Sequence, residues 1–294
     1  MVYDLARLSF YKPPQRILKK IDCEKEPIVL AEELLLNNRT YNAPRTYRRV
    51  RGKTIEHVKR GYIDLIMRNF LKDNSNLIAF KVGRPSKLKR TIYSEEEFEE
   101  IEEENYPNVN VIWIKEQQLI LIERNTDIFF NAESVINSLE DHLNSLLHEY
   151  ELGISIGFLS SETTFWDYVN EYENRIYEVN FVLFAPNFFG NLQETTRDVL
   201  ELTSGKYNAD KLKVGISNEQ GRLKVMSDDE QTSNCLSWIK EGGGGWNMKV
   251  IGDTGKKITI KSSDSARSLN ITIDDYNVDS VINVIKSALS ELNK

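Results

Sequence analysis

Arginine and lysine are the residues whose number and spacing point most directly to chemistry, and that chemistry is phosphate binding. Arg45, Arg48, Arg49, Arg51, Lys53, Lys59 and Arg60 fall within sixteen residues, with Tyr47 among them, Tyr41 just before and Glu56 as the one acid. A second burst supplies Arg84, Lys87, Lys89 and Arg90. Arginine outnumbers lysine in the denser group, and its planar fork matches a phosphate better than an ammonium does. These eleven residues are the candidate nucleic-acid contacts. The sign then reverses: Glu95, Glu96, Glu97, Glu99, Glu100, Glu102, Glu103 and Glu104 follow within ten residues. Residues 1–90 hold 21 Lys and Arg against 9 Asp and Glu, and the remainder holds 17 against 36. Charge segregated this sharply suits a charged partner, the plainer alternative being a solvated surface.

No other constellation reaches the standard of a catalytic site. His142 and His148 are six apart on one predicted helix, which puts them on different faces, and both are expected at the surface. His57 lies inside the basic stretch. The two cysteines, Cys23 and Cys235, have neither disulfide nor zinc spacing. Gly242 to Gly245 lack the trailing Lys-Ser/Thr of a phosphate loop, so a flexible turn before Trp246 is expected ahead of an anion cradle. Asp228-Asp229-Glu230 reads as a solvated loop rather than a cation site. The spaced Asp…Glu-x-Lys pattern of metal-dependent nucleases has no strand-borne set. Phe165, Trp166, Tyr168, Trp238 and Trp246 are expected in the core rather than as stacking platforms. No catalytic residue, metal or cofactor is assigned.

Composition sets the frame around that surface. The chain has 294 residues, 40% hydrophobic and 28% charged, which are globular values. No apolar run reaches the roughly 18 residues of a membrane helix. Met1 to Phe10 lacks a basic start followed by an apolar block, and two unclustered cysteines suit a reducing compartment, so a cytoplasmic location without membrane contact is expected.

The elements that must position the basic surface follow from periodicity. Val2 to Tyr11 reads as a strand, Ile28 to Leu36 as a short helix and Leu77 to Val82 as a strand. Tyr47 to Phe70 reads as a β-ribbon turning near Lys59 to Gly61, with a helix as the alternative. Ser94-Glu95-Glu96-Glu97 is a capping-box pattern, so an acidic helix is expected to follow. Like charges four residues apart make that helix marginal, and the basic stretch is its natural neighbour. Val109 to Ile114 and Leu119 to Ile122 form a hairpin. A helix follows Asn131 with Val135, Ile136, Leu139 and Leu143 on one face. Then come a strand at 152–159, a helix at 164–172 and a strand at 177–184 stopped by Pro186-Asn187. A helix opening at Asn191 ends at Gly205. A second hairpin pairs 212–216 with 222–226, and a helix spans about 231–240. Strands at 248–251, 257–261 and 270–273 precede an amphipathic C-terminal helix carrying Val281, Ile285 and Leu289. The class is α+β, with mixed or antiparallel sheets and packed helices in a two-part chain. Residues 1–108 form a basic, strand-rich part ending in the acidic helix, and residues 109–294 form an α+β part.

The order of elements in residues 109–294 resembles that of phage-exclusion and phage-defence proteins of the RexA and KwaB kind. It rests on Phe165-Trp166-Asp167-Tyr168-Val169, the strand from Ile176 to Phe184 with Pro186-Asn187 after it, a helix, and the Lys213-Val214-Gly215-Ile216 strand. The resemblance implies a bacterial or phage protein that binds DNA, often without sequence preference, in antiviral defence. No functional residue is carried over, because no diagnostic site aligns. Together the readings predict a non-enzymatic nucleic-acid-binding protein, DNA ahead of RNA. The alternatives are a protein-interaction subunit, with a protein partner or a second copy of the chain, and a metal-dependent nuclease effector.

Overall fold

The computed structural model describes residues 1–13, 21, 23–41, 46–50, 53–57, 65–72, 76–83, 86–94, 97–125, 132–184, 209, 211–271, 283, 285, 287 and 290, with backbone alone from 41 to 72.

Strand β1 (Val2–Tyr11) lies inside the larger sheet, paired along both edges. Tyr3 and Leu5 belong to one core cluster and Ala6, Leu8 and Phe10 to another, all at most 2% exposed. A strand apolar at successive positions has to be covered on both faces. One edge of β1 pairs antiparallel with β10 (Leu119–Glu123); β11 (Gly153–Phe158) and β16 (Ser268–Asn270) take the other. Beyond β10 come β9 (Asn108–Ile114), β6 (Leu77–Gly83), β5 (Leu65–Lys72) and β2 (Thr40–Tyr41). Helices α1 (Pro27–Asn37) and α2 (Ala132–Leu147) cover one face, where Leu30, Leu35, Leu139 and Leu143 cluster with Phe10 and Trp113. On the other face Leu5, Ile112 and Leu121 cluster with Leu269, Ile271 and Ile285. Ile285 is helical and 2% exposed, as the C-terminal pattern predicts, while Val281 and Leu289 lie outside the described residues.

The second sheet runs β13 (Lys211–Ser217), β12 (Ile176–Phe184), β14 (Gly244–Ile251), β15 (Lys257–Lys261), antiparallel throughout. Helices α3 (Glu162–Glu171) and α4 (Glu230–Lys240) cluster with it through Phe165, Leu236 and Ile239 against Val179, Phe181 and Trp246. Phe165 meets Trp246 edge-on at 5.2 Å between centroids. Trp238 is buried in the same cluster, with Trp166 and Tyr168 packed against it. The aromatics are core, as expected. Ion pairs tie the sheets together: Lys211 on β13 reaches Glu140 on α2 at 3.1 Å, and Lys261 on β15 reaches Glu133 at 3.0 Å.

The α+β class with antiparallel sheets is what the structure has. Four local expectations are corrected. Residues 94 and 97–104 are extended, not helical. The ribbon expected to turn at Lys59–Gly61 closes after Val50, because Val50 pairs with Lys53. Residues 222–226 are not a strand; the backbone N–H of Leu223 donates to the Ile176 carbonyl instead. A boundary at 108 would cut the larger sheet between β6 and β9, and β1 takes its partners from the far side of it. The helix at Asn191, Pro186-Asn187 and Gly205 fall outside the described residues.

Candidate nucleic-acid interface

One hairpin of the larger sheet runs past its core as a ribbon, and a second two-stranded ribbon lies between β2 and β5 in the chain. In the first, β6 pairs with β9 from Leu77↔Ile114 to Gly83↔Asn108. Beyond it, β7 (Ser86–Ser94) pairs with β8 (Glu97–Asn105) from Ser86↔Asn105 to Ser94↔Glu97, with no change of offset. The root is buried and the outer part exposed, so one hairpin in one register leaves the core and continues for about 30 Å at ~3.3 Å per residue. In the second hairpin, β3 (Thr46–Val50) pairs with β4 (Lys53–His57), and the flanking β2 and β5 pair in the sheet. The pairs Ile66↔Gly83 and Thr40↔Ile66 put the end of β2, the start of β5 and the end of β6 at the same end of the sheet.

Six of the eleven candidate contacts lie on these ribbons. Arg48, Arg49 and Lys53 belong to β3 and β4, where Arg48 is opposite Ile55 and Arg49 opposite Thr54. The acid of that ribbon, Glu56, is opposite Tyr47. Arg45, Arg51, Lys59, Arg60 and Arg84 lie outside the described residues. Lys87, Lys89 and Arg90 lie on β7, exposed but engaged. Glu102 on β8 takes Lys87 at 2.9 Å and Lys89 at 3.4 Å, and Glu103 approaches Arg90 at 3.6 Å. The hydrogen bond to Glu102 raises the Lys87 ammonium above its ordinary range, and Lys87 holds the Glu102 carboxyl below its own. Lys87, Lys89 and Arg90 are therefore paired within their own ribbon.

The same pairing explains why the acidic segment is a strand. A helix would stack its glutamates four apart, each such pair unfavourable by a few tenths of a kcal/mol, roughly. A strand opposite β7 sets Glu102 against Lys89 and Glu104 against Lys87. Cross-strand opposite charges stabilise where helical like charges repel. Thr91, Ile92 and Tyr93 supply the β-branched and aromatic character that strands favour.

Toward the tip the compensation stops. Glu97, Glu99 and Glu100 stand opposite Ser94, Ile92 and Thr91. Tyr93 and Phe98, opposite one another, have ring centroids 5.2 Å apart and are 66% and 79% exposed. Leu88 and Ile92 are exposed too. Leu88 and Ile92 lie on one side of the acidic ribbon, and Tyr93 and Phe98 on the other.

Elsewhere, the other possible chemistry resolves into structure. His142 is 2% exposed, with Nε2 donating to the Asn38 carbonyl at 2.7 Å, so the expectation of a surface histidine is corrected. Burial holds its imidazole below the ordinary range. Burial pushes the Cys235 thiol up, opposite to what a nucleophile needs. Asp229 caps α4, accepting from the Thr232 backbone N–H at 2.9 Å. In the glycine run, a Cβ at Gly243 would fall 2.2 Å from the Trp238 ring, and one at Gly244 2.0 Å from the Val182 carbonyl oxygen. That run is a buried packing turn. Among the described residues no three His, Cys, Asp or Glu side chains gather as metal ligands. None of the described helices is long and apolar enough to cross a membrane. No known protein family, curated protein or solved structure matches the chain.

Proposed function

We propose that the chain binds nucleic acid without sequence preference, duplex DNA ahead of RNA, through the β3–β4 ribbon. The observation that carries this reading is the difference in compensation between the two basic stretches. Lys87, Lys89 and Arg90 have glutamates at hand on the neighbouring strand, whereas residues 45–60 hold seven cations and one acid. A two-stranded ribbon is also narrow enough for the roughly 12 Å major groove. Phosphate contacts give affinity and register without a base code, which suits a surface lacking a recognition helix.

Successive positions of a strand alternate sides, so about half of the seven cations serve one backbone. About four contacts then give a slope of log K against log salt near −4 on duplex DNA. A gel-shift series across salt tests this, and binding that ignores salt removes the reading. Antiviral defence as the setting rests on the resemblance of residues 109–294 alone, and the binding proposal does not depend on it. A second reading, a subunit that engages a protein, is favoured by one observation: the exposed Leu88, Ile92, Tyr93 and Phe98 on the acidic ribbon. Nothing comparable favours a nuclease.

A further inference from the structure

We infer that the open face of the β7–β8 ribbon is a docking surface for the β3–β4 ribbon of a second copy of this chain. On one side of β7–β8, Leu88, Ile92 and Ile101 form an apolar diagonal; Glu97, Glu99 and Glu103 lie around it, and Arg90, opposite Ile101, approaches Glu103 at 3.6 Å, which leaves this side net acidic. Leu88 and Ile92 are 37% and 38% exposed, so the chain leaves this face uncovered. Apolar side chains grouped on a projecting ribbon mark a contact surface rather than a solvated one.

Charge selects the occupant. Residues 86–105 hold three cations and eight glutamates, so the same ribbon of another copy would repel it. Residues 45–60 hold the reverse, seven cations and one acid. Their register also repeats the arrangement with the sign inverted. Arg48 and Val50 share one side of the ribbon with Ile55 and Lys53, mixing cations with apolar positions as the other face mixes acids with them. The strands that precede and follow each ribbon in the chain finish at the same sheet end, so two copies meeting there exchange basic for acidic twice and close a twofold pair. This inference uses the charge of β3–β4 and not its binding of nucleic acid.

The test is a charge swap read by sedimentation of the full chain without nucleic acid. The parent should form dimers at low salt that dissociate as salt rises. Glu99→Lys/Glu103→Lys should weaken self-association at least about tenfold, as should Arg48→Glu/Lys53→Glu. Mixed one to one, the two variants should recover the parent's dimer, because each restores the sign the other lacks. A parent that stays monomeric at low salt overturns the inference, and so does a dimer unaffected by Glu99→Lys/Glu103→Lys. Should the β3–β4 variant not fold, the salt response and the glutamate variant still decide. Loss of DNA binding in Arg48→Glu/Lys53→Glu bears on the proposed function alone; recovery on mixing bears on the dimer alone.

Discussion

The two ribbons, β7–β8 and β3–β4, differ in what stands opposite their cations. On β7–β8 the cations of one strand face glutamates of the next, and Glu102 holds two of them at once. On β3–β4 the register sets Arg48 against Ile55 and Arg49 against Thr54, with Glu56 opposite Tyr47. Lysine and arginine cluster in both bursts, but the positions across the strand differ: glutamates face Lys87 and Lys89, and Ile55 and Thr54 face Arg48 and Arg49. What a cation meets across the strand decides whether it is free for a phosphate. Exposed pairs are individually weak, so this difference concerns where charge is offered, not how stable the ribbon is.

The largest effect tests the buried sheet from which the acidic ribbon projects. Trp113 on β9 is 1% exposed, and Trp113→Ala should cost about 3–5 kcal/mol in a denaturant titration. Phe98→Ala, on the same hairpin but 79% exposed, should stay within about 0.5 kcal/mol. Equal costs at the two positions would erase the distinction between root and ribbon.

The next effect makes the acidic ribbon resemble the basic one. Replacing Glu99, Glu100, Glu102 and Glu103 with glutamine releases Lys87, Lys89 and Arg90 and removes the repulsion of phosphate. DNA affinity should then rise about tenfold, ~1.4 kcal/mol, in a gel shift. An unchanged or lower affinity would mean that the two ribbons act independently.

The smallest effect concerns pH. Glu102 titrates below the ordinary carboxylate range because Lys87 stabilises its charged form. A depressed acid contributes its stabilisation above its unfolded value and loses it as pH falls through its folded value. The Lys87–Glu102 pair should therefore persist through mild acid and open only below the ordinary glutamate range, as carboxyl chemical shifts would report. A Glu102 midpoint at the ordinary value would remove the ladder.

Much of the sheet and helix framework was legible in the sequence because its cause is local. Val109 to Ile114, Leu119 to Ile122 and the Val135–Leu139–Leu143 stripe declare their burial by period alone. What failed depended on partners distant in sequence. The capping-box pattern at Ser94 suggested a helix, yet the Lys89↔Glu102 pairing made a strand the better solution for those glutamates. The boundary at 108 looked natural by charge, and the pairing of Leu8 with Ile156 was invisible to it. His142 was read against His148, when its spacing from Leu139 already placed it on the apolar face of α2. For the candidate site, the sequence found the cations, and the register showed that Lys87, Lys89 and Arg90 are engaged. Arg45, Arg51, Lys59, Arg60 and Arg84 remain as the sequence presents them.

The central claim is that the basic ribbon, and not the neutralised one, carries phosphate. Parent, Arg48→Ala/Arg49→Ala/Arg51→Ala and Lys87→Ala/Lys89→Ala/Arg90→Ala should be compared on one random-sequence DNA duplex across a salt series. Each lost phosphate contact flattens the slope of log K against log salt by about 0.9. The first triple variant should flatten it by about two units, and equally on unrelated sequences, because backbone contacts carry no base information. The second should change it by less than about one unit. A folded first variant that keeps the parent's affinity and slope, or a second variant that loses more than the first, would contradict the account.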